Sequence, residues 1–361
     1  MVAVLVFGLS IFIAWQNFGA AAGRNGVASS RQMKAFLVNL LGHGTRVDGE
    51  SQAIVANVKR QSEDLSTAEA IFREVLAQQK KQFGDGSPEV VQTLNNIAAI
   101  QEQRGNLAGA EATRREVLAL ARQMFRENSN QVADATYNLA DILERRGDRS
   151  GAGALRRGLW EKALELGPTD QLNYYKLIPL LVELGDLDGY RKYCRAMLDQ
   201  FGETQDPVKA ERTARSCLLL PITGADLEAA VKLAAIPVER AEPTNKDMTY
   251  FEMVKGLAEY RMGHPTNALE WIDKCLAHGA VWGKQYDSSR EVVAYSLQAM
   301  AHQQLKHISE ARESLAQAED ILQNAGPKRL FQMRGTLWVD WATCHIFVRE
   351  AKALIEGKSA P

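Results

Sequence analysis

Apolar and polar positions recur along most of this chain with the spacing of an α-helix, and they recur in pairs. In LNNIAAIQEQRGNLAGAEATRREVLAL, Leu94 to Leu120, one apolar stripe runs to a Gly-Asn turn and a second stripe follows it. Such spacing predicts two amphipathic helices joined by a short turn. The pattern returns as YNLADILERRGDRSGAGALRRGLWEKAL, Tyr137 to Leu164, with Asn96 over Asn138, Ala98 over Ala140, Gly105 over Gly147 and Ala110 over Ala152, each 42 positions apart. A weaker copy occupies about 52 to 84, where Ala56, Ala68 and Ala70 fall under Ala98, Ala110 and Ala112. Glycine at the turn accepts the left-handed conformation that ends a helix, and alanine lets neighbouring helices approach closely. One hairpin cannot bury its apolar face alone, whereas stacked hairpins can, so the repeat predicts an all-α solenoid.

Gly84 to Pro88 and Glu127 to Asn130 supply linker and cap residues between copies. Beyond Pro168 the period drifts while the paired unit persists. Leu177 to Phe201 places Gly185-Asp186 at a turn, and Ala210 to Pro221 with Ala225 to Pro237 forms a further helical pair. In two cleaner copies Gly256, Gly263, Ala268, Ile272 and Cys275, then Ala299, Ala311, Leu315 and Ala318, hold the small-residue and packing positions. Arg329 to Ile355 reads as a closing helix whose Trp338 and Trp341, three apart, share a face. The expected organisation is a hydrophobic helix over 1–23, a linker with a short helix over 24–50, regular repeats over 51–167, divergent helical repeats over 168–240, and further repeats with the closing helix over 241–357.

Composition narrows the function. Lysine and arginine at 43 against aspartate and glutamate at 44 leave a net charge of −1, which argues against nucleic acid as a partner. Cys194, Cys217, Cys275 and Cys344 are too scattered for a disulfide framework or a CxxC site and read as buried thiols. Among six histidines no metal-ligand spacing stands out: His302 and His307 are five apart, and Cys344-His345 are adjacent. No HRD, DFG or Gly-rich kinase loop is present, nor a GxSxG elbow. Glu69 and Arg73, at i and i+4, read as a pair on a solvated helix face rather than a general acid and base. The expectation is a chain with no catalytic residue, no cofactor and no metal.

Val2 to Trp15, VAVLVFGLSIFIAW, carries no charge, and the uncharged run continues to Gly23. About 20 such residues span a bilayer, so a single-pass membrane anchor is the first reading. The small residues Ala20, Ala21 and Ala22 support a second reading, export after cleavage of a signal peptide, against which stands the missing basic n-region. Orientation, oligomeric state and the identity of a partner are not legible.

With its NNIA-like start and GNLAGAEATRREVLAL-like second half, the 42-residue unit resembles the kinesin-light-chain type of tetratricopeptide repeat (TPR). That resemblance implies a right-handed superhelix of helical hairpins whose groove binds a protein or peptide, with Asn96, Asn138 and Arg145 as candidate groove contacts. Asparagine amides at such positions would hydrogen-bond an extended peptide backbone; a structural amide bonded to a loop carbonyl is the alternative. Arg114 and Arg156 depart from the family, which commonly has a large apolar residue there; their stems are expected to cover apolar surface with the guanidinium in water. Tyr137, Trp160, Tyr174, Tyr175, Trp271 and Trp282 are expected mainly as core fillers.

A second resemblance rests on YRKYCRAMLDQFGETQDPVKAERTARSCLLLP, KGLAEYRMGHPTNALEWIDKCL and the order Trp15-Gln16, repeats, Glu211 to Pro221. It is to the membrane-anchored C-terminal region of large bacterial serine/threonine protein kinases, and it implies a signalling scaffold at the bacterial inner membrane. The alternative is the regulatory part of a transmembrane kinase whose catalytic domain is missing from this chain.

Overall fold

A computed structural model describes residues 65–127, 129–242, 244–282, 288–327 and 336–357. Among them are fourteen α-helices and no strand, as the pattern predicts. They are α1 Leu65–Phe83, α2 Pro88–Gln103, α3 Leu107–Met124, α4 Asn130–Arg145, α5 Arg149–Leu166, α6 Gln171–Glu183, α7 Leu187–Phe201, α8 Pro207–Cys217, α9 Gly224–Arg240, α10 Met248–Arg261, α11 Pro265–Trp282, α12 Ser288–Gln304, α13 Ile308–Ala325 and α14 Leu337–Glu356. The chain divides into two compact units, Met1–Gly147 and Asp148–Pro361.

In the first unit each helix packs on the next, α1 on α2, α2 on α3 and α3 on α4. Ala68, Phe72, Ile97 and Ile100 form a core cluster, with Leu65 and Leu76 against it. Ala98 and Ala140 are both fully buried, in equivalent places on α2 and α4. The helix starts are capped as expected: the Ser87 hydroxyl accepts from Val90 N, and that of Ser129 from Val132 N, each at 3.3 Å. Gly105 and Gly147 close α2 and α4 at φ +73° and +89°, a region costly for any residue with a Cβ.

A charge lattice repeats with the helices. Glu69 on α1 accepts from Arg73 Nη2 at 2.8 Å, Arg104 Nη1 at 2.5 Å and Gln101 Nε2 at 3.0 Å. Forty-two residues on, Glu111 on α3 pairs with Arg115 at 2.8 Å and with Arg146. Each carboxylate joins the second helix of one hairpin to the end of the next first helix. Glu69 is only 6% exposed, so its side of the Glu69–Arg73 pair is not the solvated face expected from spacing alone. Burial pushes its carboxyl up, but the hydrogen bonds from Arg73, Gln101 and Arg104 outweigh that and leave it below the ordinary value.

In the second unit α6 pairs with α7, α8 with α9, α10 with α11 and α12 with α13, while α6, α8, α10 and α12 also touch in succession. Close approach is built in at Gly256, where a Cβ would lie 2.7 Å from Ile272 Cδ1 and 3.3 Å from Ala268 O. The four cysteines are free and buried, as expected. In the last described helix, α14, Trp338, Val339, Ala342, Cys344, Phe347 and Ala351 are all at most 1% exposed. Arg349, Lys352 and Glu356 stay exposed along one side. α14 lies against α6, α12 and α13.

Candidate peptide-binding face

Because α2 turns Val90, Leu94, Ile97 and Gln101 inward, its less buried side carries Gln92, Asn96, Ala99 and Gln103. These fall at i, i+4, i+7 and i+11 and so share a stripe. The equivalent positions on α4, 42 further on, are Asp134, Asn138, Asp141 and Arg145. Asn96 is half-buried and Asn138 exposed, and within the described residues neither side chain is bonded to another group. The neighbouring Asn95 is spent: its Oδ1 accepts from Arg114 Nη1 at 2.5 Å. Each uncommitted amide offers one acceptor and two donors.

Arg145 is placed differently. Its Nη1 donates to Glu102 Oε2 at 3.1 Å and lies 4.0 Å from Asp141 Oδ2, while Glu102 Oε1 receives Arg114 Nη2 at 2.8 Å. The guanidinium is thus on the α4 stripe but held by carboxylates of its own unit. Of these three, Asn96 and Asn138 are the side chains without a bonded partner among the described residues.

The row of first helices in the second unit is already occupied. α14 is stitched to it at both ends: Asp340 Oδ1 accepts from Tyr175 Oη at 3.0 Å and from Arg215 Nη1 at 2.9 Å. Near the other end Arg261 binds Glu350 through both Nη atoms, the Nη2 contact being 2.8 Å, and donates to the carbonyls of Leu218 and Leu219 at 3.0 and 2.8 Å. Arg349 adds Glu183 at 2.6 Å. Beside Asp340 a polar cavity of about 150 Å³ is lined by Tyr175, Glu211, Arg212, Arg215 and Asp247. Burial pushes the Glu211 carboxyl up against the pull of Arg215, and the Tyr175 phenol is raised well above its ordinary value by burial. No spacing rule points to this network, whose members lie up to 165 residues apart.

Residues 51–123 match the family model for the tetratricopeptide repeat. This segment carries tetratricopeptide repeats. A search of curated proteins gives no match. Among solved structures, a TPR protein from Parabacteroides merdae ATCC 43184 is 13% identical, over 80% of this chain and 96% of that one, with a TM-score of 0.43. A putative kinesin light chain with nearly identical TPR-like repeats from Podosopora anserina is 14% identical over 77% and 95%, at 0.29. PilW, described as a type IV pilus biogenesis factor, is 15% identical over 63% and 94%, at 0.35.

Within this TPR framework several expectations change. Arg114 and Arg156 are 8% and 1% exposed, so neither guanidinium sits in water; that of Arg114 is desolvated against Asn95 and Glu102. Trp160, Tyr174 and Tyr175 are buried core fillers, while Tyr137 and Trp271 are half-buried; the side chain of Trp282 lies outside the described residues. The hydrophobic helix of 1–23 and the linker of 24–50 also lie outside them, and no helix among the described residues is long and apolar enough to cross a membrane. No group of three or more His, Cys, Asp or Glu side chains that could hold a metal occurs among the described residues.

Proposed function

We propose that this TPR chain is a scaffold that holds an extended peptide segment of a partner protein along the α2 and α4 stripes of its first unit. The observation that carries this is the pair Asn96 and Asn138, equivalent in the repeat, reached by solvent and bonded to nothing in the described chain. Regularly spaced amides match the donors and acceptors of an extended backbone. Asp134, exposed on the same stripe, favours a segment with a basic residue beside it. The second unit serves instead as a closed support, since α14 fills the inner row where a ligand would lie.

The finer reading is a membrane-anchored scaffold in signalling, resting on Val2 to Trp15 and on the kinase-tail resemblance. The kinase-tail block has a structural explanation as well. Glu211 and Arg215 are buried beside Asp340 of α14, and Leu218 and Leu219 receive Arg261 through their carbonyls.

Affinity capture with the full chain, compared with Asn96→Ala/Asn138→Ala, tests the groove assignment. Selective loss of one set of captured proteins at unchanged helical circular dichroism is expected. Capture of every partner at wild-type level rejects it.

A further inference from the structure

Four turns inside the hairpins set glycine in the left-handed position: Gly105, Gly147, Gly185 and Gly263. The residue that follows is Asn106, Asp148, Asp186 or His264, and the first three cap the next helix through a side-chain oxygen at 3.0, 2.8 and 2.9 Å. The turn between α12 and α13 departs from this twice. Lys306 holds φ +63°, the one non-glycine residue in that region among the described residues. His307 takes the cap position and makes no cap hydrogen bond.

The backbone closure itself is unchanged. His307 N donates to His302 O at 2.9 Å, as Asn106 N does to Gln101 O and Asp186 N to Leu181 O. This closure sets side chains five apart next to each other, usually as an apolar contact. Here both are imidazoles, with Nδ1 atoms 3.4 Å apart and ring centroids 5.6 Å apart. A spacing of five cannot share a helix face, but across this turn it becomes adjacency.

Two nitrogens bound to one tetrahedral ion at about 2.0–2.1 Å stand about 3.3 Å from each other. As a direct hydrogen bond between two ring nitrogens, 3.4 Å is beyond the usual range. We propose that His302 and His307 form a two-histidine site for a divalent transition metal of the zinc class, with water completing the coordination. His302 is half-buried and His307 exposed, so the ion enters and leaves without opening the fold. Bound, it fastens the end of α12 to the start of α13 across the strained Lys306.

Calorimetric titration of the full chain with Zn²⁺ near neutral pH tests the site, alongside His302→Ala, His307→Ala and the control His264→Ala, with helical content checked for each. One equivalent is expected to bind, each of the first two substitutions weakening that event by at least about tenfold and the control leaving it unchanged. Binding also weakens on acidification, because protons compete for the ring nitrogens. Should an alanine variant lose helicity, His302→Gln or His307→Gln replaces it. No binding up to about 1 mM Zn²⁺, or a binding event that survives either substitution, overturns the proposal.

Discussion

Glu350→Gln is the most informative single change in this protein, because it tests whether α14 is docked through a buried ion pair. The Arg261 side chain is 3% exposed and that of Glu350 13%, and the pair is bidentate. Burial works against the arginine's charge while Glu350 raises its pKa above the ordinary value. Removing one partner of such a pair leaves an uncompensated buried charge, which costs about 3–5 kcal/mol. The carbonyls of Leu218 and Leu219 still receive the guanidinium, so the lower end, about 3 kcal/mol, is expected. For a unit of roughly 200 residues that is a fall in Tm of about 6–12 °C, read as loss of helical circular dichroism. The double variant Arg261→Met/Glu350→Leu, which removes both charges and keeps most of the volume, recovers most of the loss. A fall of under about 1 kcal/mol for Glu350→Gln, the value of a surface pair, would refute the burial of this pair between α10 and α14.

Three further outcomes are expected. Lys306→Gly relieves the left-handed strain and stabilises the second unit by about 1 kcal/mol, seen as a higher midpoint in chemical denaturation; an unchanged or lower midpoint contradicts the turn geometry. Gly256→Ala drives a methyl into Ile272 and the Ala268 carbonyl and costs about 1–3 kcal/mol, and a wild-type midpoint would mean that α10 and α11 do not meet there. His345 is held below its ordinary pKa by burial, with Glu183 pulling it up and Arg349 pushing it down. The unfolded chain therefore takes up that proton first, and stability falls as pH drops below about 6.5. His345→Gln should flatten that part of the curve of stability against pH, and an unaltered slope would sink the assignment.

The two units use similar hairpins for different ends. In the first, the buried Glu69 and half-buried Glu111 are consumed in joining successive helices, and Asn96 and Asn138 stay uncommitted. In the second, the row of first helices closes on α14 through Arg215, Arg261 and Glu183. A scaffold of this kind presents its partner with a small number of repeated polar contacts, and specificity then rests on side chains such as Asp134 that differ from one copy to the next.

Helix type, the 42-residue repeat, the turns at Gly105 and Gly147 and the burial of the four cysteines follow from sequence alone. Each depends on neighbours within a few residues, where periodicity and backbone sterics act directly. The candidate pair Asn96 and Asn138 came from the same repeat, whereas the commitment of Arg145 to Glu102 depends on two helices meeting 43 residues apart. Only the tertiary structure decided the rest. Arg114 reads on one helix as a long stem with its charge in water, and becomes a buried ion pair because α2 supplies Glu102 and Asn95. His302 and His307 are unremarkable as a spacing of five and adjacent once the turn closes. For α14, its many apolar residues told of burial, but its partners lie as far back as Tyr175. A local pattern fixes how a segment folds; which surface it meets is set by desolvation and charge pairing with residues the pattern cannot see.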